Sequence, residues 1–209
     1  MDSWIFIGVW ALVGTLSATP ANALVRSLAL PTSSSVDYRL VMACGSVTYA
    51  LLAARLGMGA TLVAYSVLAS LIIPLAAIDI REHRLPTKPI IAAAAAITIL
   101  FAAATVLSRQ PEPLIRGVIC SAVCLVLLTI AYLISPGFIG GGDIRLAALL
   151  VLALGWTSWS AAIRAIVIGL FIGALHGASC LIGRRSSERR DVPLGPALAA
   201  GALFSILIV

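Results

Sequence analysis

Long apolar runs separated by brief polar punctuation constrain this chain more than any other feature, because such runs leave few folds open. A helix crossing the hydrocarbon of a bilayer needs about 20 mostly apolar residues. Marked against their polar breaks, the runs fall near residues 4–25, 40–56, 60–79, 89–107, 116–134, 144–156, 159–182 and 194–209. The expectation is an all-α, polytopic transmembrane helix bundle with about eight spans. The sixth and eighth runs are short for a full crossing and would be tilted, half-inserted or tucked against other helices, which gives a range of six to eight true spans.

Composition agrees: 61% of the residues are hydrophobic, 11% are charged, and the mean hydropathy is +1.12, far from soluble globular usage. The 209 residues leave no room for a separate soluble domain, so residues 1–209 read as one membrane domain. The net charge of +6 is scattered between apolar runs and forms no patch, which argues against nucleic acid as a partner. Cys44, Cys120, Cys124 and Cys180 lie inside apolar stretches, where they behave as small hydrophobes. Ala21-Asn22-Ala23 imitates a signal-peptide cleavage site, but Asp2 precedes the apolar run and Arg26 follows it, the reverse of a signal's charge order. This segment is treated as the first span.

Basic residues in short loops mark the cytoplasmic side of a membrane protein. The loops after the first, third, fifth and seventh runs hold Arg26, Arg39, Arg81, Arg84, Lys88, Arg145, Arg184, Arg185, Arg189 and Arg190. The opposite side has Arg55, Arg109, Arg116 and Arg164, so both termini are expected outside the cytoplasm. The loops at 80–88 and 135–143 then share the cytoplasmic face.

Of the eight acidic residues, Asp37, Glu112, Glu188 and Asp191 sit in polar connectors and Asp2 near the start of the chain. Asp79 follows Leu75-Ala76-Ala77-Ile78 directly, where an ionised carboxylate is costly unless water, a partner or a function compensates. A plain alternative is an interfacial carboxylate paired with Arg81 or Arg84. Asp143 closes the glycine-rich stretch Ser135-Pro136-Gly137-Phe138-Ile139-Gly140-Gly141-Gly142-Asp143, and by itself reads as a helix N-cap. Those glycines also let the backbone approach an extended peptide closely. Together, two carboxylates on one membrane face suggest aspartic-protease chemistry, in which like charges held close leave one carboxyl protonated and the other ionised. The ionised member takes a proton from water while the protonated one hydrogen-bonds the scissile carbonyl, and no metal or cofactor is needed. The proton belongs to the pair, and the sequence does not say which aspartate holds it.

Other constellations are poorly supplied. His83 and His176 have no carboxylate or cysteine cluster to complete a zinc site, and His176 reads as a packing or hydrogen-bonding residue. Cys120 and Cys124 share a helix face and read as core packing. Gly169, Gly173 and Gly177 form small-xxx-small steps that permit close helix contact.

Three stretches resemble the GXGD aspartyl proteases, and specifically the type IV prepilin peptidases. Ile78-Asp79-Ile80-Arg81-Glu82-His83-Arg84-Leu85-Pro86 is similar to the family's first aspartate and its basic stretch ending in proline. Gly140-Gly141-Gly142-Asp143-Ile144-Arg145-Leu146 is similar to its G-x-G-D, with Arg145 where lysine is common. Val192-Pro193-Leu194-Gly195-Pro196 resembles its C-terminal P-F-G-P. A fainter echo runs from Gly14 to Pro31, with Ser17, Asn22 and Arg26, so residues 1–31 resemble a remnant of the family's N-terminal region and 60–209 its catalytic core. The resemblance implies Asp79 and Asp143 as catalytic residues, with Gly140, Gly142, Arg145, Pro86, Gly195 and Pro196 in positioning or loop roles. It implies a prepilin or pilin-like precursor as partner, cut between a short basic leader and an apolar helix at the cytoplasmic face of the inner membrane. Recognition is expected through that apolar helix, packed among the spans in lipid.

Long family members carry two C-x-x-C pairs in an N-terminal cytoplasmic insertion associated with N-methylation. Here only Pro31-Thr32-Ser33-Ser34-Ser35 and a few more residues fill that loop, which implies a compact, peptidase-dominant member. Three rivals stay open at this point, one of them a catalytically silent assembly protein. A presenilin or signal-peptide-peptidase relative shares G-x-G-D, and Pro196-Ala197-Leu198 spells its P-A-L, although Ile78 stands where that group usually has tyrosine. A small ion-coupled transporter would also bury carboxylates beside glycine-broken helices.

Overall fold

The computed structural model describes residues 3–28, 38–82, 85–134, 139–182 and 194–208. These form α1 (Ser3–Leu28), α2 (Tyr38–Leu56), α3 (Ala60–Glu82), α4 (Thr87–Ser108), α5 (Glu112–Ile134), α6 (Gly141–Thr157), α7 (Trp159–Ile182) and α8 (Gly195–Ile208), with no strand among the described residues. Each apolar run became one helix. Six of the helices, α1 to α5 and α7, are long and apolar enough to cross a membrane. The 17-residue α6 and 14-residue α8 fall short, as the lengths of their runs led one to expect.

The helices pair as hairpins, α1 with α2, α5 with α6 and α7 with α8. α6 lies at the centre, in contact with α4, α5, α7 and α8. Its residues Leu146 through Gly155 are all buried, the signature of a helix apolar on every side. Lipid tails are as apolar as leucine, so association here depends on close packing and interhelical hydrogen bonds. Gly117 lies so near α6 that a Cβ there would stand 2.7 Å from the Leu152 carbonyl, and Gly155 faces Cys120 across the same contact. Cys120 and Cys124 are buried along this face, the core-packing role read from their spacing. Gly169 meets Leu198 of α8, and Gly173 meets Leu194 just ahead of α8, in the same way, as the small-residue steps implied.

Polar bonds tie the far end of the bundle. Arg116 of α5 donates from Nε to the Gly155 carbonyl at 2.6 Å and from Nη2 to those of Trp156 and Thr157, satisfying the last carbonyls of α6. Tyr65 of α3 donates to the Ala153 carbonyl at 3.0 Å, and Phe101 of α4 stacks on Trp156 with ring centroids 4.4 Å apart. These contacts hold α3, α4 and α6 in fixed relation, and their opposite ends carry the two aspartates.

Candidate active site

At the other end of the bundle, the last turn of α3 meets the first turns of α4, α6 and α8. Asp79 is 4% exposed in α3. Its Oδ2 accepts the N–H of Gly195, the first residue of α8, at 2.9 Å. That N–H is one of the donors a helix start leaves without an intrahelical partner, and a helix N-terminus favours a negative charge beside it. Pro196 follows in the first turn, where its missing N–H costs no bond.

Asp143 differs from its N-cap expectation. The cap position belongs to Gly140, with extended backbone (φ −74°, ψ 145°), and Asp143 is the third residue of α6. From there its Oδ2 reaches back to accept the Gly140 N–H at 3.2 Å, half of a capping box. The reason is that α6 begins two residues before Asp143, at Gly141, so the glycines form the cap and the first turn. Oδ1 of Asp143 is left buried without a hydrogen-bond partner. Burial first, and then the charge of Asp79, push the Asp143 carboxyl up to about 6, while the Gly140 N–H pulls it back. The two aspartates, 64 positions apart in the chain, therefore act on one another electrostatically.

Leu85, just ahead of α4, lies between Gly142 and Gly195. A Cβ on Gly142 would stand 2.7 Å from Leu85 Cβ and 3.1 Å from its carbonyl oxygen. A Cβ on Gly195 would stand 2.7 Å from Asp79 Oδ2 and 3.3 Å from Leu85 Cδ1. Gly142 and Gly195 are thus close-approach positions, and both let α6 and α8 press on the same leucine. Pro86 is the N-cap residue of α4, with φ −66°. Arg145 is exposed and donates from Nη1 to Thr87 Oγ1 at 3.0 Å, joining the starts of α4 and α6.

Asp79, Asp143, Gly140, Gly142 and Gly195 are therefore brought together. Pro86, Pro196 and Arg145 shape the helix starts around them. Sequence reasoning did not single out Leu85 or Thr87, whose residue types carry no signal outside their tertiary contacts. His176, read as a packing or hydrogen-bonding residue, is on an exposed part of α7. His83, Arg84, the 135–138 half of the glycine-rich stretch and Val192-Pro193 lie outside the described residues. Among the described residues no group of three His, Cys, Asp or Glu side chains gathers to hold a metal.

An all-helical bundle with six helices long and apolar enough to cross a membrane, and two interacting carboxylates at its helix ends, can support aspartic-type chemistry. Residues 66–178, just over half of the chain, match the type IV leader peptidase family, and the chain belongs to that family. It is 31% identical over 168 residues to a prepilin leader peptidase/N-methyltransferase of Bacillus subtilis (strain 168), an alignment covering 80% of this chain and 63% of the relative. The chain thus spans somewhat less than two thirds of that curated relative. No solved structure matches it.

Proposed function

We propose that the protein is a membrane aspartic endopeptidase that removes the short basic leader from prepilin or pilin-like precursors, supporting pilus assembly or a related secretion system. The observation that carries this is the mutual influence of Asp79 and Asp143 at one end of the bundle, within a family of leader peptidases. Asp79, beside the N-terminus of α8, is the ionised member that draws a proton from the attacking water. Asp143 carries the shared proton and presents it from Oδ1 to the scissile carbonyl, which becomes tetrahedral as water adds. Collapse of that intermediate breaks the C–N bond, with a proton returned to the leaving amine.

The dyad faces the cytoplasm of the inner membrane and both termini lie on the opposite side, a reading supported by the sequence, in which ten of the fourteen basic residues fall after the first, third, fifth and seventh apolar runs. Residues 60–209 carry catalysis, Gly140, Gly142 and Gly195 set the spacing of the dyad, and the substrate's apolar helix packs among the spans. The chain lacks paired C-x-x-C cysteines, so peptidase activity without methyl transfer is the reading for this protein. The test is cleavage of a co-expressed prepilin by wild type, Asp79→Asn and Asp143→Asn at matched membrane levels. Wild type is expected to cut once at the leader boundary and each variant to lose at least about a thousandfold in rate, since each removes one half of the acid–base machinery. Cleavage surviving either substitution would overturn the two-aspartate mechanism.

A further inference from the structure

Asn22 of α1 has no solvent exposure, and neither its Nδ2 nor its Oδ1 has a hydrogen-bond partner. A carboxamide offers two donors and an acceptor with two lone pairs, and removing all of them from water unpaired is costly. One turn earlier on the same face, Ala18 lines a small cleft with Gly14, Tyr49, Ser70, Ile73 and Pro74. Hydroxyl groups run beside that cleft: the Tyr49 hydroxyl lies 2.6 Å from Ser70 Oγ and donates to the Ser66 carbonyl at 2.9 Å, and Ser70 Oγ donates to Ser17 Oγ at 3.3 Å. Pro74, inside α3, has no N–H to return to the Ser70 carbonyl. The seam between α1, α2 and α3 therefore gathers a carboxamide with no protein partner and a carbonyl that its own helix leaves without its donor.

The seam also leads to the dyad. Trp10 Nε1 donates to Ser66 Oγ across 56 residues of chain, and Ser17 meets Ser70 across 53, so α1 and α3 run in the same direction. Carried on, that register sets Asn22 beside residues 73–75, between one and two turns, roughly 6–9 Å of helix rise, short of Asp79. This is where Pro74 interrupts the backbone ladder of α3 and lateral contacts have to fix the helix. We propose that Asn22 anchors a buried water site between α1, α2 and α3 and is a positioning residue for Asp79. Water held by the carboxamide and the Ser70 carbonyl ties the segment between Pro74 and Asp79 to α1. The proposal rests on the peptidase reading for its effect on cleavage, and stands apart from it for the hydration.

Radiolytic hydroxyl labelling of the full-length protein in detergent tests the hydration, because radicals made from held water modify the side chains beside it. Tyr49 and Pro74 are expected to be labelled in wild type and to lose most of that labelling in Asn22→Leu, which keeps the volume and removes the polar atoms. In the cleavage assay Asn22→Leu is expected to lower kcat roughly tenfold or more with KM within about twofold, and Asn22→Ser, which still binds water, to restore most of it. If the leucine variant fails to accumulate, Asn22→Ala against Asn22→Ser gives the same comparison with two small residues that differ by a hydroxyl. Absent labelling in wild type, or a variant lacking the polar group with wild-type kcat at matched levels, overturns the proposal. If wild type cuts no prepilin at all, the peptidase reading fails while the labelling still decides the water site.

Discussion

At the scale of single residues, the difference between the two carboxylates comes from what each touches. Asp79 accepts a helix-start N–H, and Asp143 accepts one amide and keeps a buried oxygen without a partner. With its carboxyl pushed up to about 6, Asp143 holds a proton below that pH and loses it above. Cleavage measured as kcat/KM between pH 5.5 and 8 should fall as pH rises, with a single-proton limb near 6, and a flat profile would count against Asp143 as the acid. Stability follows the same sign. The folded pKa lies above the ordinary 3.8, so the folded chain keeps a proton that the unfolded chain loses between about 4 and 6, and this stability contribution declines as pH rises through that window. Asp143→Asn should accordingly raise Tm above pH 6 and leave it unchanged below pH 4, by thermal melting in detergent.

At the scale of elements, α6 joins the two ends of the molecule. Its first turn carries Asp143, its middle is buried on all sides, and its last carbonyls are held by Arg116. A guanidinium inside the bundle is justified by those three acceptors, which would otherwise be carbonyls without donors in a water-poor environment. Hydrogen bonds from a charged donor contribute roughly 1.5–3 kcal/mol. Arg116→Met should therefore cost about 2 kcal/mol of stability, read as a lower Tm in detergent, while the molecules that remain folded keep their cleavage rate because the dyad lies at the other end. A loss of rate without a loss of stability would show that the cap acts on catalysis through α6.

At the scale of the whole molecule, the distribution of charge sets how the bundle sits in the bilayer. The dyad end carries Arg81, Lys88 and Arg145, and the far end carries Arg109 and Arg116. Lys88→Cys and Gln110→Cys, each in a chain with Cys44 and Cys180 replaced by serine, give a direct check with a membrane-impermeant maleimide on oriented vesicles. Lys88→Cys should be labelled only from the cytoplasmic face and Gln110→Cys only from the other. The reverse pattern would put the dyad on the wrong side for a leader that stays in the cytoplasm.

The sequence by itself determined the eight helices of the described residues, their approximate ends and the two aspartates as candidates, because bilayer thickness sets the length of an apolar run and a carboxylate at its edge stands out against so few charges. It also contained the glycines on which close approach depends, without saying what each approaches. Only the tertiary structure decided that α6 rather than a longer helix forms the core, that Gly140 caps it in place of Asp143, and that α8 supplies an N–H to Asp79. Leu85 between Gly142 and Gly195, Thr87 on Arg145 and the unpaired amide of Asn22 were equally silent in the sequence. Each depends on which helices lie side by side, and in a chain apolar nearly throughout, hydropathy marks where a helix runs but not which neighbour each of its faces meets.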